Sequence, residues 1–282
     1  MEIVTKIAPI CLALIMLGLG MGLTIQDFTR VIKQPKDFFV GFICQLILLP
    51  IIAFILIKIF NTPTELALGV MIIAAAPGGV TSNVLTKFAN GDVALSVSLT
   101  AIISLISIFT VPFIVFKSAN LLQVNYISNE ISMASISLKM FTVVTLPVVV
   151  GMLIKKFATE FIASKTILIQ RLSIFLFITV FMAIWIEEWD NIISFITRAG
   201  TIALTLNVVM MLVGYYVAKF FASGIAQTKC IALECGLQNG TLAVFVSTML
   251  FDEIVYMVPT AAYALIMFVT SILFIFIVKK IV

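Results

Sequence analysis

Two short polar runs interrupt segments of this chain that are otherwise apolar. The first is Pro77-Gly78-Gly79-Val80-Thr81-Ser82-Asn83, and the second is Glu234-Cys235-Gly236-Leu237-Gln238-Asn239-Gly240-Thr241. Inside a bilayer, unpaired backbone is tolerated only where it is buried in protein or lines a water-filled cavity. The two runs are therefore the first places to look for a function.

The second run contains Glu234, a carboxylate well inside an apolar segment. Such a group is expensive to bury and by default marks a path for ions or protons. Gln238 follows four residues later, and Gly236 allows the backbone to open between them. The oxygens of Glu234 and Gln238, with freed carbonyls, could surround a small cation. The alternative is a structural ion pair between Glu234 and Lys229.

Both runs also carry residues that favour the start of a helix. Thr81, Ser82 and Asn83 are predicted to cap a half-helix after the first break, and Asn239 and Thr241 one after the second. A restarted half-helix presents free N–H groups and the positive end of its dipole, which suit an anion. The oxygens of Ser82 and Asn83 suit a hard cation. For the first run alone, a stabilised proline kink is the alternative.

Polar residues in two neighbouring segments extend this pattern. Ser96, Thr100 and Ser104 are spaced by four residues and share one helix face. Gln45 lies in the middle of another apolar segment. Taken alone, such residues are more often packing contacts between helices than ligands.

The composition identifies a polytopic membrane protein. Of the 282 residues, 62% are hydrophobic and 11% are charged, and the mean hydropathy is +1.26. The chain has no histidine, four cysteines in apolar segments and no nucleophile–base pair or phosphate loop, which argues against disulfides, zinc and an enzyme. The net charge of +4 reflects membrane topology rather than nucleic-acid binding.

The apolar segments predict nine membrane-spanning helices in a single transporter unit embedded in the lipid bilayer. Their approximate bounds are 4–23, 38–60, 64–90, 92–117, 133–156, 166–187, 199–222, 226–250 and 254–279. The joins between them are short and polar, for example 26–37, 120–132 and 187–191.

Basic residues indicate the orientation. Nine crossings put twelve of the 17 Lys and Arg residues on the side of the C-terminus and five on the side of the N-terminus. The positive-inside rule then places the N-terminus outside and the C-terminus in the cytoplasm, in the inner (plasma) membrane.

The two interrupted segments form a weak internal repeat. Five crossings separate the segment 64–90 from the segment 226–250, so the two run through the membrane in opposite directions. Paired interrupted helices in inverted halves indicate a secondary transporter with its site near the membrane midplane.

At these motifs the sequence resembles the bile acid:sodium symporter family. The resemblance is carried by the run from Ala76 to Asn83, the run from Asn90 to Ser96, and the run from Glu234 to Asn239. It extends from about Ile10 to the C-terminus.

The resemblance implies an all-α fold with two crossed discontinuous helices and two domains that alternate access. The panel helices would be 4–23, 133–156 and 166–187. The core helices would be 38–60, 64–90, 92–117, 199–222, 226–250 and 254–279. Bacterial members usually have ten helices in two inverted five-helix repeats. The first of the ten helices would be missing in this nine-helix chain.

The resemblance also implies two sodium ions. Carried over by position, the first site would consist of Ser82, Asn83, Ser96, Thr100 and Glu234. The second would consist of Gln45, Glu234 and Gln238 with the backbone carbonyls of Cys235 and Leu237. Val80 departs from the family pattern, since many members have a hydroxyl there.

These observations favour a sodium-coupled symporter, a monomer that carries an organic anion such as a bile acid or a pantoate-like carboxylate. The predicted substrate contacts are Thr81, Asn239, Gly240 and Thr241. A proton-coupled anion transporter of the same fold, in which Glu234 titrates, is the alternative. Here the single acid, Glu234, is surrounded by neutral oxygen ligands, which favours sodium coupling over proton coupling. Proton antiporters of crossed-helix type usually carry paired acids at the break.

Overall fold

A computed structural model describes residues 2–33, 35–124, 132–187 and 192–280, and these residues form helices and connecting turns without a β-strand. The helices, in chain order, are α1 (Glu2–Gly22), α2 (Ile25–Lys33), α3 (Pro35–Ile59), α4 (Thr64–Ala75), α5 (Val80–Phe88), α6 (Val93–Leu121), α7 (Met133–Phe157), α8 (Thr159–Glu187), α9 (Ile192–Phe221), α10 (Ile225–Gly236), α11 (Gly240–Leu250) and α12 (Val258–Val278). A 3-10 turn, Ile254–Met257, precedes α12.

Seven helices of the described chain are long and apolar enough to cross a membrane: α1, α3, α6, α7, α8, α9 and α12. The remaining apolar segments are built from pairs of shorter helices, α4 with α5 and α10 with α11. The chain is therefore an all-helical, multi-pass membrane protein.

Both shorter pairs are broken where the sequence predicts. α4 ends before Pro77, and Ala76 and Gly79 adopt extended conformations before α5 begins. α10 ends at Gly236, and Leu237 is extended. The two breaks pair with each other: Gly79 N donates to Leu237 O at 3.3 Å, and Asn239 N donates to Pro77 O at 2.8 Å. The backbone groups freed by one break are thus satisfied by the other.

Two further helices are widened by proline. α3 contains a π-helical turn at Cys44–Leu48, just before Pro50, and α7 contains one at Phe141–Thr145, just before Pro147. Proline has no N–H and crowds the preceding turn, so the hydrogen-bond ladder shifts there. The turn in α3 carries Gln45.

The structure differs from the sequence prediction at three joins, and at one of them α9 begins at Ile192 instead of residue 199. The predicted polar join 26–37 contains the amphipathic helix α2. The segment predicted to start at residue 166 starts at Thr159, because Lys165 and Arg171 lie on an exposed helix face where long charged side chains remain solvated. Residues 125–131 and 188–191, in the predicted joins 120–132 and 187–191, lie outside the described residues.

Two helices, α1 and α9, make the largest packing contacts. α1 packs mainly against α7 and α8, whereas α9 packs mainly against α10 and α12. The deepest part of the protein is the second broken pair, since every residue from Thr228 to Ser247 is buried. A polar cluster at this depth must satisfy its groups within the protein.

Candidate functional site

The carboxylate of Glu234 is fully buried beside the paired breaks. Its Oε1 atom lies 2.5 Å from the hydroxyl of Ser82 and 2.5 Å from that of Ser96. Its Oε2 atom lies 3.1 Å from the hydroxyl of Thr100 and 3.2 Å from Nε2 of Gln45. Side chains from α3, α5 and α6 thus converge on one carboxylate of α10.

The two serine hydroxyls have more acceptors within reach than protons to donate. Ser82 Oγ also lies 2.7 Å from Gly79 O, and Ser96 Oγ lies 2.8 Å from Asn83 Oδ1. A serine hydroxyl carries one proton, so each can satisfy only one of its two acceptors at a time. A surplus of oxygen lone pairs around a buried carboxylate is the environment that a hard cation requires.

The amides of Gln45 and Gln238 reach the last turn of α10. Gln45 Nε2 donates to Glu234 O at 2.6 Å, and Gln238 Nε2 donates to Cys235 O at 3.1 Å. Their oxygens, Gln45 Oε1 and Gln238 Oε1, are buried, and in the described part of the chain neither has a hydrogen-bond partner. Leaving such an acceptor unsatisfied costs about 1–3 kcal/mol, so these oxygens are free to hold a cation.

Gly78 makes this arrangement possible. A Cβ atom added at Gly78 would collide with Glu234 Oε2 and lie 3.1 Å from Gln45 Nε2. The backbone of the first break can approach the carboxylate only because residue 78 has no side chain. The sequence places glycines in both breaks, but this contact identifies the one that the buried acid requires.

The predicted substrate residues lie together on a cavity of about 40 Å³. Thr81, Asn239, Gly240 and Thr241 line it, as does Phe177 of α8. Two larger cavities adjoin the same region. One of about 380 Å³ is almost wholly apolar and shares Thr81 and Phe177. The other, of about 460 Å³, is lined by Asn83. The half-helix starts therefore border open volume.

The predicted helix caps are partly wrong. At the first break Gly79 occupies the N-cap position without a side-chain hydrogen bond, and Thr81 to Asn83 lie in the first turn of α5. Ser82 is used by Glu234 instead of by the helix start. At the second break Asn239 is the cap, since its Oδ1 accepts from Leu242 N at 3.0 Å, and Thr241 lies within the first turn of α11.

A second set of polar residues at the α10 end is absent from the sequence prediction. Asn207 of α9 and Tyr263 of α12 both donate to Gly236 O, at 2.7 Å and 3.1 Å. Asn207 is an amide in the middle of an apolar segment, as Gln45 is, and that signal could have singled it out. Tyr263 carries no comparable signal, because a tyrosine in a membrane helix is unremarkable in composition.

Comparisons with known proteins agree with a sodium transporter. The sequence profile of the Sodium Bile acid symporter family matches residues 9–195. The uncharacterized sodium-dependent transporter YocS of Bacillus subtilis (strain 168) is 26% identical over 261 residues, which is 93% of this chain and 79% of the relative.

Two eukaryotic relatives match less of their own length. The probable sodium/metabolite cotransporter BASS1, chloroplastic, of Arabidopsis thaliana is 28% identical over 89% of this chain and 61% of the relative. The ileal sodium/bile acid cotransporter of Homo sapiens is 36% identical over 39% of this chain and 32% of the relative. Because the profile covers more than half of the chain, this protein belongs to the Sodium Bile acid symporter family and is a sodium-dependent membrane transporter rather than an enzyme.

Proposed function

We propose that this chain is a symporter that couples the inward movement of two sodium ions to the uptake of an organic anion by alternating access. The observation that carries this proposal is the surplus of acceptor oxygens around Glu234, which includes the unpartnered Gln45 Oε1 and Gln238 Oε1. A proton on Glu234 would satisfy the carboxylate itself but would leave both amide oxygens unpaired. Sodium coordinates oxygens of all these kinds.

The two sodium sites share one carboxylate. The first ion would bind Ser82, Asn83, Ser96, Thr100 and Glu234. The second would bind Gln45, Glu234, Gln238 and the carbonyls of Cys235 and Leu237. Every one of these residues lies within the cluster around the paired breaks. Two ions would more than neutralise Glu234, and they would fix both half-helices in one geometry.

The substrate would then bind where the half-helices start. The N-termini of α5 and α11, with Thr81, Asn239, Gly240 and Thr241, border the same cavity, and helix N-termini bind carboxylates. At 100 mV each net charge that moves inward contributes roughly 2.3 kcal/mol, so uptake can be concentrative. The bile acid and metabolite names of the relatives support an organic anion.

The proposed motion is between a panel of α1, α7 and α8 and a core of the other membrane-spanning helices. It is supported by the packing of α1 mainly against α7 and α8. We propose that each broken pair makes one crossing, so that the described residues cross the plasma membrane nine times in inverted repeats, with the N-terminus outside and the C-terminus inside. We propose that the transporter works as a monomer.

The test is sodium-dependent stabilisation of the purified full chain by cholate and by pantoate, measured as a shift in melting temperature. We expect a shift in sodium chloride and none in choline chloride at the same pH. Glu234→Gln should abolish the sodium effect. Ser104→Ala is the matched control, because Ser104 is buried one turn after Thr100 without a described partner. An equal shift in choline would favour the proton-coupled alternative.

A further inference from the structure

The carbonyls at and just after the C-terminal end of α10 have hydrogen-bond partners from different parts of the fold. Glu234 O and Cys235 O accept from the amides of Gln45 and Gln238, and Leu237 O accepts from the backbone of the first break. Gly236 O, which lies between them in sequence, is bound instead by Asn207 of α9 and Tyr263 of α12. A helix end inside a membrane must have its carbonyls satisfied, and here one of them is satisfied from outside the proposed ion sites.

The orientation of Asn207 is set by a third residue. Thr270 Oγ1 lies 2.6 Å from Asn207 Oδ1, which leaves the amide nitrogen to donate to Gly236. Asn207 is 0% exposed and Tyr263 is 1% exposed, so water does not compete for these bonds. The side chain of Met211, also on α9, fills the space where a Cβ of Gly236 would lie. Gly236 is thus held against α9 and α12 by the hydrogen bonds to its carbonyl. It also packs closely against Met211, which only a residue without a side chain allows.

We propose that Asn207 and Tyr263 are positioning residues for the second sodium ion. They hold Gly236 O towards α9 and α12, and this turns the carbonyls on either side of it, those of Cys235 and Leu237, towards Gln238 and the first break. Neither residue contacts the ion. The inference rests on the proposed function, because it concerns the affinity of an ion site assigned there.

The two residues differ in how much they contribute. Asn207→Leu is uncharged and close to asparagine in size, but it has no donor, so Gly236 O loses one of its two partners. Thr270 Oγ1 still has Ile266 O as an acceptor at 2.9 Å. Tyr263→Phe removes one hydroxyl and leaves the Asn207 bond in place. Removing residues that orient the ligands of a metal typically weakens binding about 10–100-fold. We expect a rise of that size in the half-saturating sodium concentration for Asn207→Leu and a smaller rise for Tyr263→Phe.

The experiment is a sodium titration of the purified full chain, with choline chloride holding ionic strength constant and melting temperature as the readout. Sodium alone is the probe. The matched control is Ser271→Ala, because Ser271 neighbours Thr270, is fully buried and has a hydroxyl with no partner in the described structure. We expect Ser271→Ala to titrate as the wild type does. In the variants of Asn207 and Tyr263 the sodium titration curve should move to higher sodium concentrations. Their melting-temperature shift at saturating sodium should return towards the wild-type value.

A merely structural role gives a different result. In that case the variants melt earlier in choline but keep the half-saturating sodium concentration of the wild type, and the inference is wrong. If Asn207→Leu does not fold, Tyr263→Phe alone decides between these outcomes. If the wild type shows no sodium effect at all, the proposed function fails first. A normal wild-type titration with unshifted variants overturns only the positioning role.

Discussion

The two broken helices differ in how they are held. The second break is buried throughout, its restarted helix is capped by Asn239, and the carbonyls before it are bound by side chains from α3, α9 and α12. The first break has a glycine at its cap, and Thr81 and Asn83 after it are only partly buried and line cavities. Both breaks are themselves buried, but the half-helix after the second is the better supported of the two, and α5, the half-helix after the first, is the more accessible.

This difference explains why the acid lies in the second break. A carboxylate is stable at such depth only if its neighbours are held in place to bind it. Glu234 is in the better supported half, whereas Ser82, its partner from the first break, is on α5, where Thr81 and Asn83 are only partly buried. Ion binding would then link α5, the more accessible half-helix, to the better supported end of α10.

The largest expected effect comes from changing the closest approach between the two breaks. In Gly78→Ala the added methyl group would collide with Glu234 Oε2. Overpacking of this kind typically costs about 1–3 kcal/mol, and the carboxylate must move away from Ser82 and Thr100. We expect a lower melting temperature and complete loss of sodium-dependent stabilisation.

Gly22→Ala is the control for this change. A Cβ atom at Gly22, at the end of α1, would meet nothing within 4 Å, so its melting temperature and sodium response should stay close to those of the wild type. If Gly78→Ala retained a normal sodium titration, the contact between the first break and Glu234 would not matter for ion binding.

A smaller effect is expected when one hydroxyl of the ion site is removed. Ser96 contacts both Glu234 Oε1 and Asn83 Oδ1, so it joins the two halves. In Ser96→Ala the single hydroxyl proton within reach of these two acceptors is removed, and the proposed first ion loses a ligand. We expect the half-saturating sodium concentration to rise about tenfold, which corresponds to about 1.4 kcal/mol. The measurement is a sodium titration beside Ser104→Ala, and equal curves for both variants would contradict the assignment.

The sequence was sufficient for the parts of the site that depend on local chemistry. Proline and glycine predict both breaks, and the cost of a buried acid singles out Glu234. The spacing of Ser96 and Thr100 correctly places them on one face of a helix, and both contact Glu234. These features follow from residue type and spacing within one segment.

Features that depend on contacts distant in sequence could not be predicted in this way. The bond between Asn207 and Gly236 O joins two helices, and only the packed fold brings the amide to that carbonyl. The helical state of α2 was missed because its charged residues are typical of a loop as well as of an amphipathic surface helix. The cap at Gly79 was missed because Ser82 has a stronger interaction with Glu234 than with its own helix start.

Of the two breaks, only the second has a side-chain cap at its restarted helix. Asn239→Ala removes the acceptor for Leu242 N, and loss of such a cap typically costs about 1 kcal/mol. We expect a modest decrease in melting temperature that persists at saturating sodium. Thr248→Ala is the control, since among the described residues this hydroxyl bonds only to Phe245 O of its own helix. A decrease of the same size in both variants would mean that the cap contributes nothing specific.

The smallest effect is expected at Thr81, on α5, the more accessible half-helix. Thr81 lines both the cavity at the half-helix starts and the apolar cavity beside it, and Thr81→Val keeps its shape while removing the hydroxyl. If that hydroxyl contacts the anion, the affinity should decrease about two- to fivefold, in line with roughly 0.5–1 kcal/mol for a single hydrogen bond. The sodium titration without anion should not change, because Thr81 is not among the ion ligands.

The measurement is anion-dependent stabilisation at saturating sodium, with whichever of cholate and pantoate stabilises the wild type. Thr179→Val serves as the control, since its hydroxyl bonds to Phe175 O within α8. A change in sodium affinity without a change in anion affinity would assign Thr81 to the ion site, and the two breaks would then share the ions more equally than their burial indicates.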